Sequence, residues 1–281
     1  VVWGALSYIS VYFSGSSCGD VGMVLVQDGG MAWYQFRKGP LATYGGYLLL
    51  GTLGALLLFF ILRGRIRVDE PLTGRTVTRF RFIERFSHWL MAGSFILLGS
   101  TGRFVKYGRD YIAPYLGKDF NATLLLASKF IHNNVAWAFM LSLIMIFVMW
   151  VWHNIPNRTD ITWFAQAGGI VGSKPPPAKK FNAGQKIIFW ACILLGGSIS
   201  VSGLSLLFPF EMPLFAKTFE VLNNLGVPGL IGIAELPTVL TPHEEMQFAQ
   251  AWHAIVSFVL MAIIIAHIYI GSVGMEGAYA A

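Results

Sequence analysis

The stretch that decides the fold is MQFAQAWHAIVSFVLMAIIIAHIYIGSVGM, residues 246–275. It contains no Asp, Glu, Lys or Arg, and about twenty such apolar residues are enough for a helix to span a bilayer. Two histidines, His253 and His267, stand fourteen positions apart in it. In a helix they lie roughly 21 Å apart along the axis and within about 40° of each other around it. One helix face therefore presents an imidazole near each side of the hydrocarbon layer. Ionisable groups at that depth are costly and mark function. Haem suits the arrangement best, because iron held between inward-facing helices takes an axial imidazole from each.

Working outward, the same lack of charge recurs at residues 39–62, 86–102, 130–157 and 187–210. With 246–275 this gives five candidate spans; 86–102 is the shortest and needs interfacial residues on either side. Composition agrees: 12% of the residues are charged, against about 25% in soluble domains. Mean hydropathy is +0.61. Residues 1–13 are apolar but too short to span alone. The expected fold is an all-α membrane protein with five transmembrane helices.

Basic residues orient the spans. Residues 63–85 hold seven Arg and residues 153–186 hold five Lys or Arg, whereas residues 211–245 hold five Glu and one Lys. The basic loops are expected in the cytoplasm and the acidic one outside. Residues 103–129, with five basic residues and two Asp, read as an external loop by alternation. The N-terminus then lies outside and the C-terminus inside. The net charge of +6 is a topogenic signal that flanks lipid head groups, and no nucleic acid is implied. Cys18 and Cys192 are far apart and outside any C-x-x-C-H motif, which excludes covalent c-type haem. Cys192 reads as a small packing residue, and Ser173–Lys180, with prolines 175–177, as a stiff extended loop.

Two further histidines share these depths. His88 sits just inside the cytoplasmic boundary of its window, and His132 just inside the outer boundary of its own. Matched by depth, His88 pairs with His267, and His132 with His253. Two stacked b-type haems account for all four, and bis-histidine ligation leaves no open position for oxygen. His153 and His243 read as polar loop residues. Gly93, Gly99, Gly102, Ala136, Ala254 and Gly271 leave room for a flat macrocycle near the backbone. On the cytoplasmic side KKFNAGQK, residues 179–186, leads into the fourth span. Asn182 reads as a helix cap and Lys186 as a snorkelling side chain; alternatively Asn182 and Gln185 offer amides to a quinone.

Four strings carry a resemblance: RFRFIERFSHW (79–89), HNIPNRTDITW (153–163), KFNAGQKIIFW (180–190) and WHAIVSFVLMAIIIAHIY (252–269). The chain resembles the cytochrome b (gamma) subunit of membrane-bound respiratory formate dehydrogenases over residues 79–277. The resemblance implies a four-helix di-haem cytochrome b domain at 86–281, with an external insert at 209–246. Ahead of it come an external segment (1–38), an extra transmembrane helix (39–62) and a basic cytoplasmic loop (63–85). It implies a molybdenum- or tungsten-containing catalytic (alpha) subunit and an iron–sulfur (beta) subunit as partners, in a bacterial inner membrane. A trimer of heterotrimers is the family's frequent assembly. Electrons would enter at the outer haem held by His132 and His253. They would reach the inner haem held by His88 and His267, and then menaquinone or ubiquinone. By similarity Asn182, Gly184, Gln185 and His267 line the quinone site. The alternatives are the cytochrome b subunit of a nickel–iron hydrogenase and, in a different class, a haem-free anchor or transporter. A transporter would place its polar groups at the midplane, not at two haem depths.

Overall fold

The computed structural model describes residues 29–67, 78–169 and 178–278. Cys18, Arg75, Lys174 and prolines 175–177 lie outside them, as do most of the segment 1–38 and the middle of the basic loop 63–85. Every regular element among the described residues is helical. The chain divides into two compact units, Val1–Gly45 and Gly46–Ala281. In the first, α1 (Gly30–Lys38) closes with the Gly39 N–H donating to the Gln35 carbonyl at 2.8 Å. There α2 (Pro40–Arg63) starts on a proline, whose missing N–H is harmless at a helix start.

The second unit contains the rest of α2, α3 (Phe82–Tyr111), a short α4 (Ala113–Leu116), α5 (Lys118–Trp150) and α6 (Arg158–Ala165). After these come α7 (Ala183–Leu207), the short α8 (Phe215–Asn224) and α9 (Val227–Leu230), and α10 (Pro242–Tyr269), which ends in a π turn. Each charge-free window lies within one of α2, α3, α5, α7 and α10 or runs only a few residues past its end, as 130–157 does beyond α5 through the 3-10 turn Val151–Asn154. Residues 103–129 are not the expected loop. They are almost wholly helix, broken only around Ile112 and Gly117, because charge marks the edge of the hydrocarbon and not the end of a helix.

Among the described residues four stretches are long and apolar enough to cross a membrane: Gly30–Arg63, Lys118–Asn154, Ala183–Leu207 and Pro242–Gly274. The chain is an integral membrane protein. Helix α3 is long enough but more polar, and its packing says why. Ser87, Ser94, Thr101 and Gly108 recur every seven residues and are all buried. The three hydroxyls donate back to the carbonyls of Ile83, Leu90 and Leu97 at 2.7–2.8 Å, so no polar group is stranded. This smooth stripe brings α3 close to α5, where Ser128 and Ser142 are also buried, as small residues do between membrane helices. The large apolar side chains point the other way: Leu57, Ile61, Leu126, Ile144, Val148 and Leu194 are all exposed. In lipid that outward apolar surface is in its solvent.

The bundle is two layers. Helix α3 packs chiefly on α5, α10 on α7, and α5 joins the layers through α7. At one end, here the basic end, the start of α3, the end of α5 and the start of α7 meet. The end of α2 joins α10 there too. Phe59 and Phe60 meet the Tyr269 ring edge-on, and Ile66 bridges to Gly274 and Glu276 with two 2.9 Å backbone hydrogen bonds. At the opposite end the segment 209–246 folds onto α10. Buried Glu245 accepts the Phe215 and Ala216 N–H groups, both at 2.8 Å, and so caps α8.

Candidate functional site

The structure brings the four depth-matched histidines together in two pairs. His88 on α3 faces His267 on α10 with ring centroids 6.3 Å apart; His132 on α5 faces His253 on α10 at 6.2 Å. Neither helix pair that carries facing imidazoles is among the closely packed pairs, so the rings meet across the gap between the layers. A metal-bound imidazole nitrogen lies about 2 Å from its metal and roughly 1 Å from its own ring centre, so two rings bound to one metal have centroids about 6 Å apart. Both pairs meet that requirement. Each pair supplies two donors, and among the described residues no three or more His, Cys, Asp and Glu converge as a bare ion would need. Two facing imidazoles without a third protein donor would suit a metal that arrives within its own macrocycle, as in haem. His153 and His243 take no part: the first lies in the 3-10 turn after α5 and the second in the first turn of α10, both exposed.

One pair carries a support the sequence reading missed. Thr101 Oγ1 lies 2.9 Å from His132 Nδ1, and Ser202 Oγ lies 3.1 Å from His253 Nδ1. Each hydroxyl donates its own proton to a helix carbonyl, Leu97 or Ile199, and so can accept an Nδ1–H. That favours the tautomer protonated at Nδ1, which leaves the Nε2 lone pair for a metal. The following residues, Gly102 and Gly203, meet the same rings: a Cβ there would stand 3.5 Å from His132 Cε1 and 3.3 Å from His253 Cε1. A hydroxyl–glycine step in two separate charge-free windows was the available signal. Of the other glycines expected to flank a macrocycle, Gly99 meets the Met261 side chain, while Gly93 and Gly271 face open space.

At the basic end Asn182 and Gln185 start α7. Asn182 Oδ1 accepts the Gln185 N–H at 2.8 Å, and Gln185 Oε1 accepts the Asn182 N–H at 3.1 Å, a reciprocal capping box. Gln185 Oε1 also accepts from Arg79 Nη2 at 3.0 Å. The box engages the amide oxygens and leaves the NH2 groups as donors. Gly184 lies under Trp163, whose indole would be 3.0 Å from a Cβ there and which also closes on Gly168, a residue with φ +65°. Among the described residues no hydrogen bond or ring contact joins His267 to this loop; its ring partner is His88.

Lys186 does not snorkel, contrary to expectation. It is buried, donating to Asp160 Oδ2 at 2.8 Å and to the Ile155 carbonyl at 3.1 Å. With Asp160 and the Ile155 carbonyl in reach inside the fold, the ammonium has internal partners in place of water. Burial raises the Asp160 carboxyl, but Lys186 and the Asn157 N–H outweigh it and hold the group below its ordinary value. A second ion pair joins Lys180 to Glu84. Burial again opposes ionisation of Glu84, and Lys180, the Arg81 N–H and the Trp150 indole together pull its carboxyl down to about 2. Beside this loop Trp152, His153, Ile155, Pro156, Asn157, Lys179 and Lys180 line an open cavity of about 320 Å³.

Comparison with known proteins gives a consistent result. The family model described as prokaryotic cytochrome b561 matches residues 79–277. The cytochrome b556(fdo) subunit of formate dehydrogenase from Escherichia coli strain K12 is 26% identical over 196 residues, covering 69% of this chain and 78% of that protein. The cytochrome b556(Fdn) subunit of the nitrate-inducible formate dehydrogenase from the same strain is 26% identical over 180 residues, covering 62% and 78%. The formate dehydrogenase cytochrome b556 subunit of Haemophilus influenzae is 27% identical over 135 residues, covering 46% and 53%.

Proposed function

Because the chain belongs to the prokaryotic cytochrome b561 family, a family of membrane electron-transfer proteins, we propose that it is the cytochrome b subunit of a formate dehydrogenase complex. In this reading it carries electrons from an iron–sulfur subunit through two bis-histidine b haems to a quinone at the cytoplasmic face of a bacterial inner membrane. The observation that carries the reading is the two imidazole pairs at 6.3 and 6.2 Å, each bridging helices otherwise held apart.

When bound, the haems supply one-electron carriage across the apolar layer. His132 and His253 hold the outer one, with Thr101 and Ser202 favouring their Nδ1-protonated tautomers. His88 and His267 hold the inner one. Each imidazole pair would bind and orient its haem without itself taking part in bond chemistry. Asn182 and Gln185 would offer their amide NH2 groups to the quinone carbonyls, with Gly184 beside them and His267 reaching the site from the inner pair. The basic residues at this end favour the cytoplasmic side, which puts the N-terminus outside and the C-terminus inside. The extra helix α2, the external segment before it and the 209–246 insert are additions to the four-helix haem domain. The catalytic subunit, with molybdenum or tungsten, and the iron–sulfur subunit dock on the outer face.

The test is haem quantitation as the pyridine haemochrome on the purified complex, followed by a formate-reduced minus oxidised spectrum. The expected result is two b haems per chain, both reduced by formate and reoxidised by added quinone. Haems reduced by hydrogen and not by formate would keep the ligands and transfer the donor role to a nickel–iron hydrogenase. A haem-free protein would overturn the reading in favour of an anchor or transporter.

A further inference from the structure

Glu84 stands one helical turn before His88, about 40° from it around α3, and is 7% exposed. Its Oε1 accepts from the Trp150 indole at 2.7 Å and from Lys180 Nζ, and its Oε2 from the Arg81 N–H at 2.7 Å. One carboxylate thus joins the start of α3, the end of α5 and the segment that enters α7. Arg79 reinforces the link, donating through Nε to the Lys180 carbonyl at 3.0 Å and through Nη2 to Gln185 Oε1 at 3.0 Å. Phe80, Trp150 and Phe181 contact one another at 5.1–5.7 Å, and the Lys180 ammonium lies over the Phe80 and Phe181 rings. The carboxylate is buried against these rings, while the Lys180 ammonium keeps partial access to the open cavity beside the loop.

A plain anchor for α7 would not need this arrangement. The capping box and the Lys186–Asp160 pair already hold the helix start. What the Glu84–Lys180 link adds is register. It ties the loop bearing Asn182 and Gln185 to the helix bearing His88, one turn from the histidine itself. We propose that Glu84 is a positioning residue for quinone: through Lys180 it sets the distance between the amide donors of residues 182–185 and the inner histidine pair. The proposal rests on the quinone reading above. Glu84 touches neither quinone nor haem.

The experiment follows reduction of the haems in the purified complex by menadiol, in stopped flow, which reads the quinone end without the formate donor. For Glu84→Gln and Lys180→Gln the expected result is both haems retained with unchanged spectra and the half-saturating menadiol concentration raised about tenfold. The maximal rate should fall less than about twofold, and Lys180→Arg should recover most of the affinity. Unchanged half-saturation in both variants overturns the proposal. If Glu84→Gln loses the inner haem, Lys180→Gln decides, since it alters nothing on the haem helix; loss of haem there as well marks a structural prop and also overturns it. Asn182→Ala separates the two readings. If it weakens menadiol binding while the clamp variants do not, only the clamp fails. If all three leave menadiol kinetics unchanged, the quinone site itself is elsewhere.

Discussion

The two histidine pairs have nearly the same separation, 6.3 and 6.2 Å, but unlike surroundings. Around His132 and His253 each Nδ1 has a hydroxyl partner and each ring edge rests on a glycine. Around His88 and His267 no hydrogen bond reaches a ring nitrogen among the described residues, and His88 instead meets the Trp89 ring edge at 5.5 Å. Order at that end comes from ion pairs away from the ligands, Glu84–Lys180 one turn from His88 and Lys186–Asp160 at the start of α7. One layer is thus fixed atom by atom at its ligands. The other is fixed at the level of helices, which leaves its imidazoles free to respond to what binds beside them. Under the function proposed above, that division would suit a wire whose outer end only accepts electrons and whose inner end must meet a diffusible substrate.

The largest effect should come from breaking the outer pair. His253→Ala should remove the outer haem and block formate-dependent reduction of the inner one, read as loss of half the pyridine haemochrome signal. Rapid reduction of the remaining haem would reverse the order of the two layers. Next, Thr101→Ala with Ser202→Ala should weaken retention of the outer haem about tenfold or more, with a shifted potential, and leave the inner haem unchanged. Equal shifts in both haems in a redox titration would erase the contrast. A smaller effect is expected at the basic end. Asn182→Ala should cost about 1 kcal/mol of stability through the lost cap and slow quinone reduction with both haems spectrally intact. Stability loss with normal quinone kinetics would leave Asn182 as a cap alone.

Much of this architecture was legible in the sequence because a bilayer imposes one simple constraint. Absence of charge over twenty residues located α2, α5, α7 and α10, and the fourteen-residue spacing of His253 and His267 fixed which depths must pair. The limits are equally physical. Charge counts could not find the helical ends beyond the hydrocarbon, so residues 103–129 read as a loop. Lys186 looked like a snorkelling residue because its partner, Asp160, belongs to α6, and no local pattern announces a buried pair across 26 residues. Thr101 and Ser202 were hidden because serine and threonine are ordinary in membrane helices. Their meaning comes from a histidine 31 or 51 residues away.

The smallest predicted effect is a pH dependence confined to the inner end. Glu84 ionises at about 2 when folded, against an ordinary value of 4.5. A depressed carboxyl stabilises the fold fully above its ordinary value, and that contribution is lost as pH falls from about 4.5 toward 2. Histidine protonation also threatens both haems in acid, so the wild type alone does not isolate the clamp. Glu84→Gln does, because it removes the titrating group and leaves the four ligands in place. Thermal release of the inner haem, followed by its Soret band, should become easier for the wild type from pH 4.5 downward and converge on the variant, which starts lower. The outer haem should respond alike in both proteins. A gap between wild type and variant that stayed constant down to pH 2 would place the stabilising charge elsewhere, with Asp160 and its Lys186 partner the next pair to vary.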